Sequence, residues 1–103
     1  MTILEVGTRL TAEEGSELKE KVNGLLAQGR SAVLLDCMRL GYIDSQGISA
    51  LVRTWISAGG GGNLRLFSLT PRVKELLEIT GLIKVLECFD DVGSALRSFG
   101  HDT

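Results

Sequence analysis

The sequence predicts an α/β domain built on a four-stranded, mainly parallel sheet with about four helices. Two observations carry that expectation. Between thirteen glycines and a single proline, the apolar period switches repeatedly from short β-type runs to helical spacing. The connections between these segments are only a few residues long, as consecutive strand and helix units stacked in one sheet require. Size agrees: 103 residues, 44% hydrophobic and 23% charged, suit one core. A chain of this length buries roughly 60 to 70% of its unfolded surface, enough to fold without a metal or disulfide staple. One domain is expected over residues 1–100, with 101–103 as a tail.

The first β-prone segment is Ile3 to Val6. Thr11-Ala12-Glu13-Glu14 then has the Thr-x-x-Glu spacing of a capping box and predicts a helix start. Leu18, Val22, Leu25 and Leu26 form one helical stripe, and Gly29 supplies a left-handed stop. Ala32 to Leu35 is apolar at successive positions, the pattern of an interior parallel strand covered on both faces, and it ends at Asp36. Tyr42-Ile43 leads into Asp44-Ser45-Gln46-Gly47, after which Ile48, Leu51, Val52 and Trp55 mark a second amphipathic helix. Four glycines, Gly59 to Gly62, follow as a spacer.

Leu64 to Leu69 alternates as a strand does. Thr70-Pro71 places a capping hydroxyl before a proline suited to the first helical position. The third helix carries Val73, Leu76 and Leu77 and stops at Thr80-Gly81. Ile83 to Leu86 is the next β-prone run, and Asp90 or Asp91 caps a last helix that turns Val92, Ala95, Leu96 and Phe99 inward.

The charge balance of −2, with no long run of like charge, lacks the footprint of a general nucleic-acid binder. No apolar run approaches membrane-spanning length and no signal-peptide pattern opens the chain, so a cytoplasmic protein without membrane insertion is expected. Cys37 and Cys88 read as reduced, packed thiols. The glycine run is followed by Asn63-Leu64-Arg65, not by the Lys and hydroxyl residue of a phosphate loop, and it follows a helix instead of preceding one.

The single histidine, His101, lies in the tail, a poor place for a catalytic base, and with two distant cysteines it makes no tetrahedral metal set. Asp36 and Asp44, both near strand ends, fit an acid/base pair on one sheet edge, but Asp there is also a routine turn and cap residue.

Asp44-Ser45-Gln46-Gly47 is the informative segment. A helix start exposes N–H groups and partial positive charge, so Ser45 can cap, and a phosphate on it would lie where anions are favoured. Phosphorylation there adds about −1.5 to −2 charge and changes a surface without unfolding the domain. The alternative is an N-cap serine followed by a glycine needed for tight packing.

The run Val33-Leu34-Leu35-Asp36-Cys37-Met38-Arg39-Leu40-Gly41-Tyr42-Ile43-Asp44-Ser45-Gln46-Gly47-Ile48 resembles the strand, loop and helix start of STAS domains, the anti-sigma factor antagonists. Gly62 to Leu66, Thr70 to Leu82 and Phe89-Asp90-Asp91 are similar to that family's next strand, helix and last turn. The resemblance implies a domain that binds an anti-sigma factor with serine kinase activity. The partner phosphorylates the domain with ATP and is then released, and a serine phosphatase restores binding.

On this resemblance Ser45 matches the phosphoacceptor, Asp44, Gln46 and Gly47 frame it, and Asp36 matches the acidic residue closing the preceding strand. The domain itself would be no enzyme and would need no cofactor. STAS-like domains also serve as constitutive scaffold subunits of stressosome-like or lipid-transport complexes, which is the competing reading. The family usually has a further strand ahead of the segment matching Thr2 to Val6. A sheet edge left uncovered there favours a homodimer or pairing with a partner.

Overall fold

Val33, Leu34 and Leu35 are fully buried in succession because their strand has a neighbour on each side and helices on both faces. The structure, a computed structural model, describes residues 2–30, 32–60 and 63–100; the expected tail at 101–103, with His101, and Gly61-Gly62 of the spacer lie outside them. Among the described residues the strands are β1 (Thr2–Glu5), β2 (Arg9–Leu10), β3 (Val33–Asp36), β4 (Tyr42–Ile43), β5 (Leu64–Phe67) and β6 (Cys88–Phe89). The helices are α1 (Ala12–Ala27), α2 (Ser45–Ser57), α3 (Pro71–Ile79) and α4 (Val92–Gly100), with a 3₁₀ turn at Leu82–Lys84.

The main sheet has the order β1-β3-β5-β6 and every pairing in it is parallel. The register aligns Leu4, Leu35, Leu66 and Cys88 on one face and Ile3, Leu34 and Arg65 on the other. The first face packs against Leu18 and Val22 of α1, Leu51 of α2, and Val73 and Leu77 of α3. Among the described residues the second is covered by α4, through Leu34, Phe67 and Ala95 with Phe89 and Phe99 at the margin. Arg65 stacks its guanidinium 4.0 Å from the centroid of Phe99, closing that side.

Several local expectations need correction. Ile83 to Leu86 is not a strand: Gly81, at φ 78°, turns the chain into the 3₁₀ turn, and the edge strand forms later, at Cys88–Phe89. Apolar content alone does not separate a short strand from a packed turn. Val92 and Leu96 do not point inward; each stays 37% exposed, because among the described residues no second helix packs beside α4 on its face and α4 buries its Ala95 side. Thr70 is the N-cap residue of α3, but its hydroxyl makes no cap bond and donates instead to the Leu40 carbonyl at 2.8 Å. The two-residue ribbon of β2 and β4, pairing Arg9 with Tyr42 and Leu10 with Ile43, was not legible as a separate sheet.

Other signals appear as read. Thr11 and Glu14 form the capping box of α1, with the Thr11 N–H donating to the Glu14 carboxylate at 2.9 Å. Gly29, at φ 87°, takes the left-handed position after α1, and the N–H of Arg30 closes on the Leu25 carbonyl at 3.3 Å. Of the two aspartates before α4, Asp91 is the cap, accepting the Ser94 N–H at 2.7 Å.

Candidate functional site

In a parallel sheet the carboxyl ends of the strands share one edge, and helices leaving them begin there. β2 and β4 shift that rule slightly: each adds a two-residue step, after which Thr11 opens α1 and Asp44 opens α2. Leu10 and Ile43, adjacent in the ribbon, are both buried and tie these two helix starts together.

Asp44, not Ser45, caps α2. Its backbone is extended (φ −111°, ψ −176°), its carboxylate accepts the Gly47 N–H at 2.8 Å, and its carbonyl accepts the Ile48 N–H at 2.9 Å. Ser45 is therefore the first residue inside the helix. The side chain is exposed, and among the described residues its hydroxyl has no hydrogen-bond partner. With Gly47 and Ile48 satisfied, the N–H groups of Ser45 and Gln46 are the open donors at the positive end of the helix. Gln46 is exposed beside them.

Gly47 is buried and pressed against β2. A Cβ there would lie 2.7 Å from the Leu10 carbonyl carbon, closer still to its oxygen, and 3.0 Å from Cγ1 of Ile43. The tight packing that the sequence suggests for this glycine is a contact requirement: α2 starts against the backbone of the neighbouring strand. The Asp44 N–H also points to the Leu10 carbonyl, at 3.4 Å.

Asp36 ends β3 on the same sheet edge. Its carboxylate accepts the Met38 N–H at 3.0 Å, folding the chain into a tight turn. The loop that follows is pinned by the Gly41 N–H on the Thr8 carbonyl at 3.0 Å and by Thr70 on Leu40. Met38 is 63% and Tyr42 48% exposed, so this loop presents apolar surface. The exposed Arg39 guanidinium lies 3.6 Å from Glu5 at the end of β1.

Asp44, Ser45, Gln46 and Gly47 are brought together on one helix turn. Asp36 shares their edge, but among the described residues no hydrogen bond joins it to any of the four. Each of the two carboxylates that fit an acid/base pair already holds a backbone N–H, one in a turn and one in a cap. The contributions sequence reasoning missed are the Leu10 carbonyl beneath Gly47 and the Thr70 hydroxyl on the loop, both made by segments remote in the chain.

Cys37 follows Asp36 directly and is buried, whereas Cys88 on β6 is half-buried. Both thiols are free, and β5 runs between their strands. Burial pushes Cys37 up to about 12, with Cys88 and Asp36 adding to the rise. Burial also pushes Cys88 up to about 11, Glu87 adding to the rise and Lys74 opposing it. A thiol raised in the folded state favours folding at neutral pH, and that contribution is lost as pH climbs from the ordinary thiol range towards these values. Stability is expected to fall with alkaline pH over that window, and a Cys37→Ala variant followed by urea melts should show a shallower fall.

The family model for the STAS domain matches residues 1–95. This chain belongs to the STAS domain family. Solved structures with the STAS fold agree. A Thermotoga maritima protein, TM1081, assigned as an anti-sigma factor antagonist, superposes with a TM-score of 0.80 at 24% identity, covering 93% of this chain and 84% of that one. A sulfate transporter family protein from Wolinella succinogenes gives 0.72 at 23% identity, with 94% and 82% covered. The Bacillus cell fate determinant SpoIIAA, in its phosphorylated form, gives 0.62 at 17% identity, with 94% and 89% covered. No curated protein matches the sequence. Among the described residues no helix of this STAS domain is long and apolar enough to cross a membrane.

Proposed function

We propose that this STAS domain is an anti-sigma factor antagonist that acts in the cytoplasm as a switched binding module. Unmodified, it holds an anti-sigma factor with serine kinase activity and so frees a sigma factor for transcription. The partner phosphorylates Ser45 and thereby loses its hold. The observation that carries this reading is the Ser45 hydroxyl: exposed, without a hydrogen-bond partner among the described residues, and set at the start of a helix that neighbouring segments hold in place.

The chemistry belongs to the partner. The Ser45 oxygen attacks the γ-phosphorus of ATP, the bond to the bridging oxygen breaks, ADP leaves, and the hydroxyl proton passes to a base of the kinase. A serine phosphatase reverses the mark by hydrolysis. The domain supplies geometry: Asp44 fixes the helix start, Gly47 allows its close approach to β2, Gln46 flanks the acceptor, and Asp36 shapes the neighbouring loop. Asp36, Asp44, Ser45 and Gln46 form the proposed partner surface, while Gly47, expected there too, is buried beneath them and only sets the helix start; the domain needs no cofactor and carries out no reaction alone. A phosphate on Ser45 would meet the open N–H groups of Ser45 and Gln46, which favour it, and the Asp44 carboxylate, which sharpens the negative field presented to a partner.

Incubation with the cognate kinase and ATP, followed by peptide mass spectrometry, tests the reading. One phosphate on the peptide containing Ser45, and none on a Ser45→Ala variant, is expected. Modification confined to another residue would sink it. The second reading is a constitutive scaffold subunit of a stressosome-like or lipid-transport complex, and the likeness to a sulfate transporter family protein keeps a role beside a transporter in view. That reading requires a partner retained whatever the state of Ser45.

A further inference from the structure

We infer that a cleft at the carboxyl ends of β5 and β6, which Ser45 does not line, binds a free α-amino acid with a small aliphatic side chain. The cleft encloses about 160 Å³ and is lined by Leu69, Lys74, Ile83, Cys88, Phe89 and Asp90. Its position follows from Gly81. That residue, at φ 78°, turns the chain after α3 into the 3₁₀ turn, so Ile83 becomes part of a turn packed beside α3 instead of extending a strand. The strand that follows, β6, is only two residues long, and the wedge between the turn, α3 and β6 stays unfilled. The carboxyl ends of the strands are also the edge at which open parallel sheets receive ligands.

The lining divides into an uncharged part and a charged part. Leu69, Ile83 and Cys88 all pack against the main core. The Cys88 thiol is half-buried and stays protonated at neutral pH, because burial pushes it up to about 11. Lys74 of α3 and Asp90, directly after β6, are exposed and bring one charge of each sign to the same cleft. Among the described residues neither side chain is ion-paired, with the other or with any third group. The Lys74 ammonium does act on the Cys88 thiol through space, opposing its rise, so its charge is felt inside the cleft.

Two opposite charges that flank one cleft without meeting select a ligand carrying both. A carboxylate pairs with Lys74 and an ammonium with Asp90, while the wall of Leu69 and Ile83 takes an apolar group. An α-amino acid holds all three on one carbon. A peptide terminus, a fatty acid or a simple amine brings only one of the charges. Size narrows the side chain: a cavity of roughly 150 Å³ takes up benzene, so the side chains of valine, leucine and isoleucine fit and an indole does not.

Titration of the isotope-labelled chain with L-leucine, followed by heteronuclear NMR, tests this. Saturable shifts centred on Lys74, Ile83, Cys88 and Asp90 are expected, with a Kd on the order of 1 mM. Glycine, without an apolar group, and tryptophan, with a ring too large for the cleft, should give no saturable shifts. Isocaproate lacks the ammonium and isoamylamine the carboxylate, and each should bind about fivefold more weakly than leucine. Lys74→Gln and Asp90→Asn change exposed side chains, so the fold should be kept and each should weaken leucine about fivefold. Lys74→Gln should also erase the advantage of leucine over isoamylamine, and Asp90→Asn its advantage over isocaproate. Absence of saturable shifts up to about 20 mM leucine, shifts centred elsewhere, glycine binding as well as leucine, or an affinity indifferent to both substitutions would overturn the proposal. The titration needs neither a kinase nor a phosphate on Ser45, so its outcome is separate from that of the switch.

Discussion

Replacing Gly47 by alanine is expected to cost about 3 kcal/mol of folding stability, the upper part of the usual range for overpacking, because the new methyl runs into the Leu10 backbone carbonyl and crowds the Ile43 side chain. The Leu10 carbonyl of β2 lies under the Gly47 position, and neither β2 nor the start of α2 is free to retreat. β2 is held in the ribbon by β4, and α2 is held by the Asp44 cap. Gly24→Ala is the matched control. Gly24 lies inside α1, a Cβ there meets nothing within 4 Å, and the substitution should stabilise by about 0.5 to 1 kcal/mol. Urea melts of the two variants separate a packing requirement from a general aversion to alanine. Equal and small effects would show that α2 can slide away from β2.

Leu35→Ala is expected to cost about 3 to 4 kcal/mol, lowering the melting temperature on the order of 15 °C for a domain of this size. Leu35 is fully buried on an interior strand, between Leu4 and Leu66 in register, on the face that α1, α2 and α3 enclose. Its register neighbours and the three helices hold the surrounding side chains in place, so the cavity closes poorly by local collapse. Thermal denaturation read by circular dichroism checks it; a loss under 1 kcal/mol would mean the core relaxes around the missing atoms.

The pattern of apolar residues made the fold legible wherever burial was two-sided or helical. The continuous run Val33-Leu34-Leu35 announced an interior strand, and the stripe Leu18, Val22 announced the face of α1. It failed where few residues carry the element. Arg9–Leu10 and Tyr42–Ile43 are too short for a period, and only their pairing with each other defines them. Ile83 to Leu86 has strand composition, yet Gly81 and the 3₁₀ turn place it before the edge strand.

The candidate site was legible as a position and less so as a mechanism of construction. Local spacing pointed to Asp44-Ser45-Gln46-Gly47, but which of Asp44 and Ser45 caps depends on the direction in which the chain leaves β4. A carboxylate reaching the N–H three residues on leaves the serine hydroxyl free, and that assignment turned a plain cap into an available acceptor. Gly47 needed the neighbouring strand to be explained. The Thr70 hydroxyl, which reads as a local cap, holds the loop before the site through a bond spanning thirty residues.

The central claim is that the state of Ser45 sets the strength of partner binding. Titration calorimetry of the anti-sigma factor against the unmodified chain and against the chain phosphorylated at Ser45 measures it directly. A phosphate beside Asp44, facing a surface fitted to a neutral hydroxyl, should weaken binding about 100-fold, close to 3 kcal/mol. Equal affinity for the two forms would contradict the switch and leave the constitutive scaffold as the better account of this domain.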